Sequence, residues 1–363
     1  MKESKGTPKS QSNRRSFLKN GMLAAGVATV GGGLLTKASA LDRDQQEGSL
    51  TSGDAAILQL LLAAEIIETD LWQQYNELGG IAASNSYVAA LQQLDGDMPQ
   101  YISDNTDDEI SHVAFLRAYL KSKGHQPVNL DHFRTLQGSK VTGIKQIGRL
   151  TNLMQLSVDT TWWTRYRSKE NPDLGASFPQ AVPSLAQGEH PAIPTSDADL
   201  GDPNTNHIQA IANTAGFHFG FIEQAGTSLY ATLSQRVSSP EVLRITISIG
   251  GSEIMHFQVW HDKAGNAVAL TDQQSGGELT FVDLTKNQPE SLQANLIMPE
   301  PCDFIKGLPE CAIIRPTGAG QLDAVGAING FFADGLFKGQ QDPRFKELLL
   351  DLANAADQAQ REL

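Results

Sequence analysis

The sequence predicts a mainly α protein: four long helices forming a bundle, a long crossover between the second and third, and an irregular C-terminal extension that ends in a helix. Three observations carry this. Helical apolar periodicity runs over Asp54–Leu78, about Pro99–Lys123, about Asn206–Arg236 and from Pro240 to about Asp262. A Glu-x-x-His step occurs twice, as Glu109-Ile110-Ser111-His112 and Glu253-Ile254-Met255-His256. Each step is preceded by an apolar helix with a Glu in its middle, Glu65 before the first and Glu223 before the second.

The 363 residues, 40% of them hydrophobic, are enough for one large core with elaborations or for two domains. Residues 1–40 read as an export signal: Asn13-Arg14-Arg15-Ser16-Phe17-Leu18-Lys19, a glycine-rich apolar run from Gly21 to Leu35, and the small-residue cleavage site Ala38-Ser39-Ala40. That run is too short and too glycine-diluted for a stable membrane span. Similarity to such twin-arginine signals implies export of an already folded chain by the twin-arginine translocation machinery, cleavage after Ala40, and a place in the periplasm or cell envelope. Seven of the 28 Lys and Arg but one of the 41 acidic residues lie in this segment, so the rest of the chain has a net charge of −19. A nucleic-acid partner is therefore not expected, because a phosphate-binding surface needs clustered Lys and Arg; such a surface attracts cations.

After a linker over 41–50, the bundle is expected over 51–263. Thr51-Ser52-Gly53-Asp54 offers caps for the first helix and Gly79-Gly80 its stop. Around Glu65 the helical neighbours are Leu58, Leu61, Leu62, Glu68, Thr69 and Trp72, a largely apolar face on which an unpaired carboxylate is costly. Glu68 is the rival position one turn on, and the match of Glu65 with Glu223 decides between them. A short helix is expected within 84–95. The second long helix aligns Ile102, Asn105, Glu109, His112, Val113 and Leu116 on one stripe and stops at Gly124. The insertion 124–204 is read as a crossover carrying one helix over Arg149–Arg167, with Trp162 and Trp163 as packing residues, and then a loop over Asn171–Pro203. His190 in that loop has acidic neighbours, a weak signal for a surface cation. The third helix turns Gly216, Phe219, Gly220, Glu223, Gly226, Thr227 and Tyr230 inward. Ser239-Pro240 caps and opens the fourth, which turns Thr246, Ile249, Glu253, His256, Phe257 and Trp260 inward. His218 and His261 fall off these stripes. Beyond residue 264, short strands are expected over Gly277–Val282 and Cys311–Ile314, then a helix from Asp342-Pro343 to about Arg361. This extension, 264–363, is expected to wrap the bundle. Cys302 and Cys311 are the two cysteines, and in an exported chain they read as a disulfide; two Cys at this spacing lack the partners of a zinc or iron–thiolate site.

The two halves superpose: Glu65 falls on Glu223, Thr69 on Thr227, Leu71 on Leu229, Trp72 on Tyr230, and Glu109, Ile110 and His112 on Glu253, Ile254 and His256. Residues three apart share a helix face, so each Glu-x-x-His step aims a carboxylate and an imidazole at one point. Through Leu61–Tyr75, Asp107–Leu120, Phe219–Leu233 and Ile245–His261 the chain resembles the ferritin-like superfamily, specifically exported bacterial proteins similar to desiccation-related proteins of plants. The resemblance implies a ferritin-like four-helix bundle with a carboxylate-bridged pair of metal ions, Glu65 and Glu223 as terminal ligands, Glu109 and Glu253 as bridges, and His112 and His256 one to each metal. Four carboxylates cancel two divalent cations. Oxygen-rich ligation with imidazole and without sulfur suits iron or manganese, and affinity order also admits zinc. The implied activity is that of a di-iron oxidoreductase, a ferroxidase or an enzyme reducing peroxide or O2. It would need an external electron donor, because the chain lacks the cysteines of an iron–thiolate domain. The same resemblance also allows a non-enzymatic stress or desiccation-related protein with a structural metal pair, and a metal-free buried polar network is the third reading.

Overall fold

The computed structural model describes residues 49–165, 178–201, 206–274, 278–286, 299–300, 311–312 and 323–362. The expected signal 1–40 and Cys302 lie outside these residues. The fold is mainly helical. Long helices α1 (Ser52–Gly79), α3 (Met98–Ser122), α6 (Asn206–Ser234) and α7 (Pro240–Ala264) form the bundle, with short α2 (Ser86–Leu91) between the first two. Thr51 accepts a hydrogen bond from the Asp54 amide at 3.0 Å and so caps α1, and Ser239 does the same for α7, where Pro240 fits the first turn. Gly124, at φ +80°, ends α3 in the left-handed region that glycine favours.

Helix α1 is apolar nearly all round, and it is covered on nearly all sides. It pairs with α3 within the bundle, while α9 (Pro343–Asp357) packs along it from outside, burying Phe345, Leu349, Ala353 and Ala356. Helix α6 pairs with α7 and carries α2 on another flank. Ile57, Leu58, Leu61, Trp72, Phe219, Phe257 and Trp260 are among the core residues closed to solvent. Truncating one of them, as in Leu61→Ala, costs about 2–5 kcal/mol.

The crossover differs from its expected form. A helix exists over Thr161–Arg165 (α4) and another over Pro183–Gln187 (α5), but Arg149–Asp159 is irregular and extended. Its apolar side chains Leu150, Leu153, Leu156 and Val158 are fully buried, and its backbone bonds to other segments: Arg149 pairs with Leu136, Leu156 with His190, and the Asn152 amide reaches the Leu336 carbonyl at 2.7 Å. Asp70 of α1 clamps this segment. It accepts from Arg134 at 2.6 Å, the Leu150 and Thr151 amides at 3.0 and 2.9 Å, and the Thr151 hydroxyl at 2.7 Å. Trp162 and Trp163 are packing residues; Trp162 lies over Gly220 of α6, where an added Cβ would come within 2.3 Å of the ring. His190 is 2% exposed rather than at the surface.

In the extension, β2 (Leu279–Phe281) pairs antiparallel with β1 (Leu270–Asp272), and β4 (Cys311–Ala312) with β3 (Pro299–Glu300). A further helix, α8 (Ala324–Ala333), was not expected; Asp323 caps it and it packs on α9. No helix among the described residues is long and apolar enough to cross a membrane.

Candidate metal centre

Each long helix of the bundle brings one carboxylate to a common interior point: Glu65 from α1, Glu109 from α3, Glu223 from α6 and Glu253 from α7. All four are 0–1% exposed. His112 and His256 follow one turn after Glu109 and Glu253. The six residues form two groups of four, each with its ligand atoms within 4.8 Å of one another: Glu65, Glu109, His112 and Glu253, and Glu109, Glu223, Glu253 and His256. Glu109 and Glu253 belong to both groups.

The imidazoles are oriented alike. His112 Nδ1 lies 3.0 Å from Glu109, 3.2 Å from Glu65 and 3.5 Å from Glu253; His256 Nδ1 lies 3.2 Å from both Glu109 and Glu223. Their outer nitrogens are held crosswise between the repeats. Ser252, just before Glu253, sits 3.1 Å from His112 Nε2, and Asp108, just before Glu109, sits 3.1 Å from His256 Nε2. Because the Ser252 hydroxyl donates to the Ile249 carbonyl at 2.8 Å, it accepts from His112 Nε2–H. With the outer nitrogen so protonated, loss of the Nδ1 proton leaves a lone pair facing the carboxylates, as metal ligation requires.

Further residues bracket the group. Asn105, one turn before Glu109, donates to Glu109 at 2.9 Å and to Glu223 at 3.0 Å, and its own oxygen accepts from the Trp260 indole at 2.8 Å. Tyr230 donates a short hydrogen bond to Glu65. At Gly226 an added Cβ would stand 2.5 Å from Glu253 Oε2, so this carboxylate occupies space that only glycine leaves free. The sequence reading placed Asn105, Tyr230 and Trp260 on inward stripes without a role, and passed over Asp108 and Ser252. A usable signal was present: both precede the Glu of their Glu-x-x-His step by one residue. His218 and His261 lie away from the group; His218 bonds to Tyr75 at 2.7 Å, and His261 packs against Trp162 and Phe257.

Electrostatics in this buried pocket are severe. Burial pushes Glu109 up, hydrogen bonds from His112 and His256 pull it back, and the balance is about 7. Burial, reinforced by Glu109, Glu68, Glu223 and Glu65, holds Glu253 well above the usual carboxylate range. Burial acts to lower both histidines, yet hydrogen bonds to Glu109 and Glu65 carry His112 up to about 10, and Glu223, Asp108 and Glu109 raise His256 as well. Without a metal, protons must offset the carboxylates. Among the described residues neither oxygen of Glu253 accepts a hydrogen bond, and Oε2 of Glu223 has only His256 Nδ1 at 3.2 Å, although all are buried. Buried carboxylate oxygens so poorly supplied with donors, converging with two imidazole nitrogens, fit a pair of cations.

A four-helix bundle with a central set of carboxylates and histidines able to hold metal defines the class. Residues 53–266 match the ferritin-like domain family, and the chain belongs to it. No curated protein and no solved structure gives a match.

Proposed function

We propose that this is a di-metal carboxylate protein of the cell envelope, with iron as the metal, acting as a ferroxidase or as a reductase of peroxide or O2. The observation that carries this reading is the pair of four-residue groups sharing Glu109 and Glu253. Glu65 and His112 would hold one ion, Glu223 and His256 the other, and Glu109 and Glu253 would bridge them. A bound ferrous pair supplies the two electrons that reduction of a peroxide requires. The chain's own part is to fix ligands from four helices, to orient both imidazoles through Ser252 and Asp108, and to exclude water with the Trp72, Phe219 and Trp260 cluster, whose rings lie 4.7–5.3 Å apart. Oxygen and imidazole donors suit iron or manganese, with zinc as a competitor.

Freshly purified protein is expected to hold about two metal ions per chain, and anaerobic addition of Fe(II) followed by O2 or H2O2 should convert bound Fe(II) to Fe(III) faster than in buffer. Protein that binds metal but shows no such acceleration would favour the structural role in a stress-related protein. An external donor is part of this proposal. So are export through Arg14-Arg15 and a Cys302–Cys311 disulfide. Retention of an Arg14→Lys, Arg15→Lys precursor in the cytoplasm and non-reducing mass spectrometry of the mature chain test those two statements.

A further inference from the structure

Helix α7 has two distinct sides. Glu253 and His256 face the metal pocket, whereas the solvent side of the same helix carries no charge between Arg244 and Asp262. In a chain with a net charge of −19 after residue 40, an uncharged stretch of this length on an exposed helix is where a second body can approach without repulsion. Its side chains are apolar and open: Met255 is 71% exposed, Ile247 58% and Ile254 37%.

The central row of this side reads Arg244, Ser248, Gly251, Met255, Gln258 and Asp262, in alternating steps of four and three residues, the spacing of a helix-pairing seam. The row is self-complementary. About position 253, Arg244 is the counterpart of Asp262, Ser248 of Gln258 and Gly251 of Met255. An antiparallel copy of the helix would therefore set a cation against an anion, a hydroxyl against an amide, and bare backbone against the long apolar side chain of the row. The fit is steric as well as electrostatic. A Cβ added at Gly251 would meet nothing within 4 Å, so the space above it is open to receive a partner's Met255. Arg244 is exposed at one end of the row. At the other end the Asp262 carboxylate is 47% exposed and touches Lys263, which Asp95 also holds at 2.7 Å.

We infer that this side of α7 binds a second copy of the chain, in a two-fold dimer whose α7 helices run antiparallel and meet at the level of position 253. An isologous interface needs one surface that complements itself, and this row is such a surface. The two metal pockets then stand back to back, one behind each of the paired helices.

Sedimentation velocity of the purified full chain over the micromolar range tests it, with a dimer expected for wild type. Gly251→Lys adds a side chain where the chain itself leaves room and replaces glycine in a helix interior. It should keep its helical circular dichroism while weakening association about tenfold or more. Arg244→Asp and Asp262→Arg each set like charges against one another at both ends of the seam, and each should weaken it to a similar extent. Mixed in equal amounts, those two variants should pair with near-wild-type affinity, because each offers the charge that the other lacks. That rescue depends on the antiparallel register and is not produced by a folding defect in either chain. Wild type that sediments as a monomer, Gly251→Lys that dimerises like wild type, or a mixture that associates no more tightly than its components would each overturn the inference.

Discussion

Asp70 and Glu253 are both fully buried carboxylates in the bundle, and they are surrounded in opposite ways. Asp70 meets a guanidinium, two backbone amides, a hydroxyl and the Gln74 amide, all within 2.6–3.3 Å. Among the described residues Glu253 accepts no hydrogen bond; His112 Nδ1 lies 3.5 Å away, and its other neighbours in the cluster are Glu65, Glu109, Glu223 and His256. The first site joins two segments of chain, and the sequence builds donors for every direction in which its anion can bond. The second assembles acceptors. A buried polar network of purely structural purpose would look like the first, since half-satisfied networks cost more than apolar cores. The difference favours the metal reading over a metal-free network.

Four measurements would break or sharpen this contrast. The largest effect is expected for Asp70→Ala, which strands Arg134 and two amides. It should lower unfolding free energy by about 3–5 kcal/mol, to the same extent with and without chelator. Next come Glu109→Ala and Glu253→Ala, which should each lower occupancy at both metal positions. Chelation should cost wild-type protein about 2.7 kcal/mol when compared with free metal at a hundredfold excess over the dissociation constant, and should hardly affect either variant. If wild type melts identically with and without chelator, the contrast between the two sites has no functional content. Smaller effects are expected around the imidazoles. Ser252→Ala and Asp108→Asn should weaken metal binding about tenfold, the low end for residues that orient a ligand, because the Asp108 carboxylate is 56% exposed and screened by water.

The last test concerns pH. In the metal-free fold, His112 is raised from 6.5 to about 10 and Glu109 from 4.5 to about 7. Both groups therefore favour the folded state most when protonated. His112 contributes stability below pH 6.5 that is lost as pH rises through 10; Glu109 becomes a liability as pH rises from 4.5 through 7. Metal ligation requires the same protons to leave, so affinity should rise across this interval while metal-free stability falls. Calorimetric titrations at pH 6 and pH 8 would show this as tighter binding at the higher pH; equal affinities would contradict it.

Much of the bundle was legible because its signals are redundant. Glu65 alone is ambiguous with Glu68 one turn away, but Glu223 has only Gly226 at that distance, and the repeat breaks the tie. The crossover was misread for a physical reason. Leu150, Leu153, Leu156 and Val158 are spaced as a helix would space them, yet here an extended strand of chain buries them, and bonds to Leu136, Leu185 and His190 satisfy its backbone. Periodicity reports which side chains are buried, and that is decided here by contacts distant in sequence. Helix α8 escaped notice because Ala324–Ala333 contains two glycines; the Asp323 cap and packing on α9 outweigh their unfavourable propensity. The surroundings of the imidazoles were hidden for another reason. Asp108 and Ser252 act across the bundle on the other repeat's histidine, a relation visible only when α3 and α7 lie side by side.

The last helix carries a consequence for how this chain could be cut. The family match ends at residue 266, but Asp357 receives the amides of Ala324 and Val325 at 3.0 Å and Arg236 at 3.2 Å, and Phe345, Leu349 and Ala353 are closed to solvent. Arg236 stands just after the last turn of α6, so the end of one bundle helix is fastened by residues more than a hundred positions downstream. A protease nick near residue 340 should therefore leave fragments that stay together in native buffer and separate only in denaturant, whereas a gene truncated at the family boundary should yield a bundle with a bare apolar flank that aggregates. In this protein the unit that homology recognises is smaller than the unit that folds.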